Sequence, residues 1–272
     1  DPWIRPDERQ PELGKPEPGE WTFPSTAVVP ANGVLVVSAS NPAIPGALDL
    51  GRDLPDEGTL LCLFDASRRL LDQVFFGPQL PDRSIGRVES SWRLLLEPTP
   101  GVVEASMAPM GDPGRVRINE WLASGGVGVG DWLEIYNPDP LPVDLGGWIL
   151  SDDPSLLGSQ RPALAPSTLI SGAGYRVLKA EGNSESGPDH LGFQLNGLGE
   201  TVLLYNPQRG LVDTVAYGPQ REGVSEGRYL DGGTLLLAFP GVASPGEPNR
   251  LPPVDRRSEE HTSELQSPYV IS

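Results

Sequence analysis

Cysteine and histidine are almost absent from this 272-residue sequence, which contains one cysteine, Cys62, and two histidines. One thiol cannot form an internal disulfide, and it cannot supply the cysteine pairs of a structural zinc site. A serine or cysteine nucleophile needs a base within reach, and His190 is the one histidine before residue 257. These shortages argue against thiol, zinc-dependent and histidine-dependent catalysis.

Basic residues and long hydrophobic runs are also scarce. Lysine and arginine number 20 against 37 acidic residues, which gives a net charge of −17. A surface of this sign repels the phosphate backbone, so we expect no nucleic-acid partner. No apolar run approaches the roughly 18 residues that a membrane-spanning helix needs, so we expect no membrane span in this sequence.

Turn-forming residues are abundant, with 33 glycines and 31 prolines. They separate short segments of alternating polar and apolar residues, a pattern typical of half-buried strands. The segments predicted as strands include residues 116–122, 132–136, 143–150, 175–179, 201–205, 211–217 and 235–239. The absence of any long helical pattern predicts an all-β, antiparallel sandwich or barrel.

The sequence repeats itself with an offset of 141 residues. Residues 70–79 align without a gap with residues 211–220, and both segments end in Gly-Pro-Gln. This repeat predicts two tandem copies of one domain. The segment from residue 118 to residue 150 has no counterpart before Asp1, so we expect the first copy to be N-terminally truncated. The expected boundaries are a partial domain at 1–105, a linker at 106–114 and a complete domain at 115–250.

The two ends of the sequence are interpreted separately. The first residue is Asp1, with no initiator methionine and no leader sequence, so any signal peptide would lie upstream. Residues 251–272 are predicted to be a disordered tail. Within it, residues 257–272 resemble a translated sequencing adapter, and we interpret them as an artefact without functional meaning.

Several motifs of the second copy resemble the lamin tail domain family, in its bacterial, tandem form. They are Ile118-Asn119-Glu120, Asp131-Trp132-Leu133-Glu134-Ile135-Tyr136-Asn137-Pro138, the segment 143–154 and Tyr217-Gly218-Pro219-Gln220. The resemblance implies an immunoglobulin-like antiparallel β-sandwich. Residues 125–130 are glycine and valine where many bacterial relatives carry polar or acidic residues. The resemblance therefore does not carry over to this sequence any ion or ligand site that relatives have in this loop.

Two features could indicate a hydrolase. Gly223-Val224-Ser225-Glu226-Gly227 fits the G-x-S-x-G nucleophile elbow, which requires a strand-to-helix turn and a later histidine. The sequence predicts no helix after this segment, and the only later histidine, His261, lies in the suspected artefact. We therefore interpret Ser225 as a turn residue that bonds the local backbone. His190 aligns with Asp49 of the first copy, which favours an exposed, inert loop histidine.

Paired carboxylates could indicate calcium binding or glycosidase chemistry. Asp152 and Asp153 form the best pair, and turn formation is the favoured interpretation, with weak calcium binding left open. Glu120 and Glu134 alternate with apolar neighbours, which predicts the solvated face of a strand.

Aromatic residues and the single cysteine are assigned to the core. Trp121, Trp132 and Trp148 could stack on a sugar ring, but large aromatics in a sandwich usually belong to the core. Cys62 aligns with Leu203 in an apolar strand, which predicts a small buried hydrophobic residue.

Both copies contain an aspartate, Gly-Pro-Gln and Ser-x-Gly-Arg in the same order. The charged members are Asp72 and Arg87 in the first copy and Asp213 and Arg228 in the second. An arginine fork could bind an external carboxylate, but an internal clamp on the aspartate of the preceding strand is the simpler prediction.

The sequence therefore predicts a non-catalytic β-sandwich module of a larger bacterial secreted or cell-surface protein. It would act as a spacer, adhesion or interaction domain, and its partner would be a protein or polysaccharide at the cell surface. Its variable loops, such as residues 125–130 and 181–189, are the predicted contact regions. The alternative is an accessory domain of an extracellular hydrolase. We assign no catalytic, cofactor-binding or metal-binding residue and expect no enzymatic activity.

Overall fold

A computed structural model describes residues 20–39, 44–103, 105–155 and 161–253. This part of the chain contains sixteen β-strands and two short 3₁₀-helices, Pro113–Arg115 and Ser184–Ser186. The all-β prediction is therefore confirmed. Within the same ranges, no helix combines the length and apolar character needed to cross a membrane. The artefact prediction for residues 257–272 lies outside the described residues.

Six strands belong to the first half of the chain. They are β1 (Val37–Ser38), β2 (Leu48–Asp49), β3 (Thr59–Phe64), β4 (Leu70–Phe76), β5 (Ile85–Val88) and β6 (Ser91–Leu94). β1 and β2 pair in parallel, whereas β3 with β4 and β5 with β6 form antiparallel pairs. Each of these sheets has two strands.

Ten strands follow in the second half. They are β7 (Arg117–Leu122), β8 (Trp132–Tyr136), β9 (Val143–Asp144), β10 (Ile149–Ser151), β11 (Leu169–Ile170), β12 (Tyr175–Lys179), β13 (Glu200–Tyr205), β14 (Leu211–Tyr217), β15 (Val224–Tyr229) and β16 (Leu235–Pro240). Their main sheets are antiparallel, in the strand orders β12-β8-β7-β15-β16 and β10-β13-β14.

These two sheets share one hydrophobic core. The five-stranded sheet contributes Ile118, Trp121, Leu133, Ile135 and Leu178, and the three-stranded sheet contributes Leu150, Val202, Leu204 and Val215. Alternate residues of β13 enter the core because successive side chains of a strand point to opposite faces. Two antiparallel sheets around one core match the predicted immunoglobulin-like sandwich.

One hairpin occurs twice in the chain with the same geometry. β3 pairs with β4, with an irregularity between Leu63 and Phe64, and β13 pairs with β14, with an irregularity between Leu204 and Tyr205. The strand ends and the irregularity are all displaced by the same 141 residues. The hairpin that follows in each half is not the same. Two residues join β5 to β6, whereas residues 230–234 join β15 to β16. The interpretation as two tandem copies stays a prediction that this geometry supports.

Equivalent residues of the repeated hairpin differ in burial. Leu61 and Leu63 of β3 are 36% and 43% exposed, whereas their equivalents Val202 and Leu204 are fully buried. Cys62 is exposed too, so its predicted burial is wrong. For the two leucines, the reason is that β7 and β8 cover the face of the β13–β14 hairpin that carries Val202 and Leu204, and the described residues of the first half include no counterpart of these strands. Leu203, the equivalent of Cys62, lies on the other face, where β13 pairs with β10, and β3 has no such neighbour among the described residues.

The two halves contact each other through residues 77–80. The Gly77 amide donates to the Pro166 carbonyl, and the Leu169 amide donates to the Pro78 carbonyl, both at 2.9 Å. The predicted linker also takes part, because Ala108 is buried beside Leu169 in a small apolar cluster. The other residues of 106–114 are exposed apart from half-buried Gly111, and the linker assignment stays a prediction.

The exposed hairpin leads to a prediction about the first half alone. A protein comprising residues 1–104 should be poorly soluble, because open strand edges and uncovered leucines favour association between chains. Sedimentation and light scattering after expression would measure this. Cooperative unfolding of that piece as a soluble monomer would contradict the prediction.

Candidate functional site

A cluster of buried polar side chains lies where β7, β8 and β15 pair. Glu120 of β7 stands opposite Glu134 of β8 and Gly227 of β15. Both glutamates are completely buried, so the prediction of a solvated strand face is wrong. The physical reason is that the loop after β16, residues 241–249, closes over this face and hydrogen-bonds to both carboxylates.

Glu120 accepts hydrogen bonds from two serines. The Ser225 hydroxyl donates to its Oε1 at 2.5 Å, and the Ser244 hydroxyl donates to its Oε2 at 3.1 Å. The Ser244 amide lies 3.2 Å from each carboxylate oxygen. Ser225 therefore lies in a strand and bonds a distant side chain, which corrects the predicted turn with local backbone bonding.

Glu134 is held by a second set of donors. The Asn119 amide group donates to its Oε1 at 2.9 Å, and the Gly246 backbone amide donates to its Oε2 at 2.6 Å. Asn119 also donates to Asp231 and accepts from the Gly232 amide. The cluster thus ties β7 and β8 to two loops that are more than 100 residues away in sequence.

The environment of the cluster disfavours negative charge. Burial raises the pKa of Glu134 to about 8, the donors from Asn119 and Gly246 act against this shift, and the charges of Glu120 and Asp231 add to it. Burial also raises the pKa of Glu120, against the hydrogen bonds from Ser225 and Ser244. Among the described residues, no group of three or more His, Cys, Asp or Glu side chains could hold a metal ion.

Arg228 forms an internal clamp beside this cluster. Its Nη2 lies 3.0 Å and 3.1 Å from the carboxylate oxygens of Asp213, and its Nε donates to the Ile118 carbonyl at 2.7 Å. Asp213 in turn accepts from the Ile118 amide at 2.8 Å. The pair therefore bonds both the amide and the carbonyl of Ile118 in β7. In the first half, Arg87 pairs with Asp72 at 3.1 Å. Internal clamping is confirmed in both halves.

The comparison with protein families decides the identity of this domain. The family model described as Lamin Tail Domain matches residues 109–219. This part of the chain is therefore similar to the lamin tail domain family. No curated protein and no solved structure matches the chain. The match covers β7 to β14 and so contains both buried glutamates and Asp213, whereas Ser225, Arg228 and Ser244 follow it in sequence.

The acid pair of the lamin tail domain forms a turn. Asp153 accepts a hydrogen bond from the Ser155 amide at 2.8 Å, and this bond lowers the pKa of its carboxyl group. Asp152 forms an ion pair with Arg161 at 2.7 Å. The favoured interpretation as turn chemistry is confirmed for Asp153.

His190 is less exposed than predicted. Its side chain is mostly buried, and Nδ1 lies 3.2 Å from Glu181 Oε2 while Nε2 lies 3.5 Å from the Lys179 amine. The reason is that residue 190 bridges to Lys179 of β12, which draws the ring against the sheet.

The predicted core role of the tryptophans is confirmed for two of three. Trp121 and Trp148 are buried in the main core, and Trp132 at the start of β8 is partly exposed. The residues that sequence reasoning missed are Asn119, Ser244 and Asn249. The signal for Asn119 was a polar residue of low strand propensity inside an apolar strand. The signal for Ser244 was the closing Ser-Pro-Gly.

The predicted contact loops approach each other at one end of the lamin tail domain. A Cβ atom on Gly126 would lie 2.8 Å from Glu222 Oε1, and one on Gly130 would lie 2.9 Å from Glu181 Oε1. Both glutamates therefore flank residues 125–130. Val127 at the tip of this loop is completely exposed. We call residues 125–130, Glu181 and Glu222 the loop end.

The buried glutamates predict a dependence of stability on pH. Between about pH 4.5 and pH 8, folded Glu134 keeps a proton that the unfolded chain releases. The free energy of unfolding should therefore fall as pH rises through this window and level off above it. Urea unfolding at several pH values would measure the slope. Glu134→Gln should flatten this slope, whereas Glu247→Gln, at an exposed site, should leave it unchanged. An unchanged slope in Glu134→Gln would contradict the raised pKa of Glu134.

The hydrogen bonds of the loop at residues 241–249 indicate which truncations the fold should tolerate. A chain ending after Arg250 should melt at the same temperature as the full chain, because Asn249 and its hydrogen bonds remain. A chain ending after Ala243 loses the donors of Ser244 and Gly246 and should melt about 5–10 °C lower. Thermal unfolding followed by circular dichroism would compare them. Equal melting of the shorter chain would show that the loop does not stabilise the carboxylates.

Proposed function

We propose that the chain is a non-catalytic interaction module of a larger bacterial secreted or cell-surface protein. The observation that carries this proposal is that the buried polar side chains form their hydrogen bonds within the protein. Three of them resemble catalytic or ligand-binding residues in sequence. Ser225 donates to Glu120, and Arg228 donates to the backbone of β7. What the domain presents to a partner is its acidic surface and its loops.

The loop end is the contact surface in this proposal. The sheets fix the ends of the 125–130 loop, because it connects β7 to β8 in the middle of the five-stranded sheet. Its tip carries exposed Val127 and half-exposed Val129, and carboxylates lie on either side. Apolar groups surrounded by negative charge fit a protein surface that combines apolar and basic side chains.

A secreted or surface location agrees with several features of the sequence. The chain is acidic, with a net charge of −17, and its single thiol gives it no dependence on a reducing compartment. A repeated sandwich suits a spacer that holds its loops away from an anchoring surface. In this proposal the first half is a second lamin-tail-like copy, in agreement with the repeated β3–β4 hairpin.

Binding to an immobilised peptide array tests the loop end. The full chain should bind peptides that combine leucine with lysine or arginine, and should bind acidic peptides and polysaccharides weakly. Val127→Ser combined with Val129→Ser should reduce this binding, whereas Val103→Ser, an exposed valine of the first half, should not. Equal binding by both variants, or selective binding to polysaccharides, would contradict the proposed surface.

A further inference from the structure

The contact between the two halves of the chain uses one short segment from each. The Gly77 amide donates to the Pro166 carbonyl, and the Leu169 amide donates to the Pro78 carbonyl, both at 2.9 Å. Gly77 and Pro78 are buried, and a Cβ atom on Gly77 would overlap the hydroxyl oxygen of Thr168. The close approach of the second half therefore requires a glycine at this position.

The second half repeats the Gly-Pro segment, and there it is uncovered. The offset of 141 residues places Gly218 and Pro219 in the positions of Gly77 and Pro78, and both are exposed. A Cβ atom on Gly218 would meet no described residue within 4 Å apart from its chain neighbours. Among the described residues, no hydrogen bond reaches the Gly218 amide or the Pro219 carbonyl. The space that Thr168 fills beside Gly77 is therefore open beside Gly218.

The first half repeats the opposite segment, and it is uncovered too. Residues 25–29 stand at the same offset from residues 166–170, and turns at 25–26 and 31–32 match turns at 166–167 and 172–173. Val28 occupies the position of Leu169 and is 72% exposed, whereas Leu169 is 1% exposed. The Val28 amide donates to no described residue. The chain thus carries an unpartnered copy of each member of the contact.

We propose that copies of this chain associate head to tail, with Gly218 and Pro219 of one copy bound to residues 25–28 of the next. The Gly218 amide donates to the Ser25 carbonyl, and the Val28 amide donates to the Pro219 carbonyl, as the equivalent groups do between the halves. The occupant is a second copy because both surfaces repeat a contact that already exists inside the chain. Since two different surfaces meet, the contact is heterologous, and association can continue beyond a dimer.

The contact between copies is weaker than the contact between the halves. Leu80 and Ile85 pack beside Leu169 in the small apolar cluster, and their equivalents at the same offset are Arg221 and Glu226. The contact between copies therefore keeps the backbone hydrogen bonds and loses part of the apolar packing. The net charge of −17 on each copy also opposes association, so association should strengthen as salt screens this repulsion.

Sedimentation velocity of the full chain tests the proposal. The weight-average sedimentation coefficient should rise with protein concentration, and the rise should begin at a lower concentration in about 0.5 M salt. Gly218→Val and Val28→Lys should each weaken association at least about tenfold. Val28→Lys lowers the negative charge, so added repulsion would not explain its effect. Leu211→Ala, at an exposed residue at the other end of β14, is the control and should associate like the unchanged chain.

Mixing the two variants tests whether two different surfaces meet. Gly218→Val retains residues 25–28, and Val28→Lys retains the Gly-Pro segment. An equimolar mixture should therefore form a dimer at a concentration where neither variant associates with itself. Gly218→Val fills space that is open within one chain, so its melting temperature should equal that of the unchanged chain.

Three results would overturn the head-to-tail contact. They are a constant sedimentation coefficient of the unchanged chain up to about 1 mM, association that survives both substitutions, and a mixture of the variants that stays monomeric. Association that survives both substitutions would show that the second copy binds another face, such as the exposed β3–β4 hairpin. The proposal rests on the repeat and not on the loop end. The double variant Val127→Ser, Val129→Ser should therefore associate normally, and either proposal can fail alone.

Discussion

Replacing Glu120 with alanine is expected to lower the free energy of unfolding by about 3–5 kcal/mol. The change removes an acceptor that serves the hydroxyls of Ser225 and Ser244 and the Ser244 amide. These donors would remain buried, because the loop closes over them, and each would be left without its partner. Urea unfolding followed by tryptophan fluorescence, to which buried Trp121 and Trp148 contribute, would measure the loss.

Two further variants separate the hydrogen bonds from the charge. Glu120→Gln keeps one oxygen acceptor and should cost less than Glu120→Ala. Glu222→Ala removes an exposed glutamate of the same domain and should change stability by less than about 0.5 kcal/mol. A Glu120→Ala protein as stable as Glu222→Ala would show that the polar cluster does not hold the sandwich together.

Replacing Arg228 with alanine is expected to cost about 3–5 kcal/mol, because it leaves the largely buried carboxylate of Asp213 without its ion pair. It also removes the donors to the carbonyls of Ile118 and Gly233. The equivalent change in the first half, Arg87→Ala, should cost less than about 1 kcal/mol, since that pair is half exposed.

The comparison of Arg228→Ala with Arg87→Ala is controlled by the repeat itself. The residue type and its aspartate partner are the same in both halves. The burial of the pair differs, as do the other contacts: Arg228 bonds the carbonyls of Ile118 and Gly233, and Arg87 lies 5.0 Å from the centroid of the Trp92 ring. Arg228→Lys keeps the charge but not the planar fork, so it should restore only part of the lost stability. Equal losses of stability in both halves would contradict the conclusion that Arg228 and Asp213 hold β7 in place.

The strands and the sandwich were predictable because they depend on local patterns. Alternation in residues 116–122 and 132–136, with prolines and glycines between segments, predicts half-buried antiparallel strands. The hairpin of the first half became predictable through the repeat, since its equivalent contains Pro207 and Gly210. The strands require only short-range information, and the hairpin requires only the comparison of two repeated segments.

Burial of particular side chains was not predictable in the same way. Glu120 and Glu134 follow the alternation of an exposed face, and they are buried because residues 241–249 return to cover them. Cys62 has the sequence context of buried Leu203, but β13 pairs with β10 at Leu203, whereas β3 has no second neighbouring strand among the described residues. In both cases the cover comes from a distant segment, and a local pattern does not contain that information.

We propose that the buried polar residues of the second half stabilise the fold and perform no chemistry. A screen of the full chain against chromogenic esters, phosphoesters, glycosides and peptides, with and without calcium, magnesium and zinc, tests it most directly. We predict no turnover above the uncatalysed rate for any substrate. Turnover that disappears in Ser225→Ala or Asp153→Ala, in a protein that remains folded, would contradict the claim.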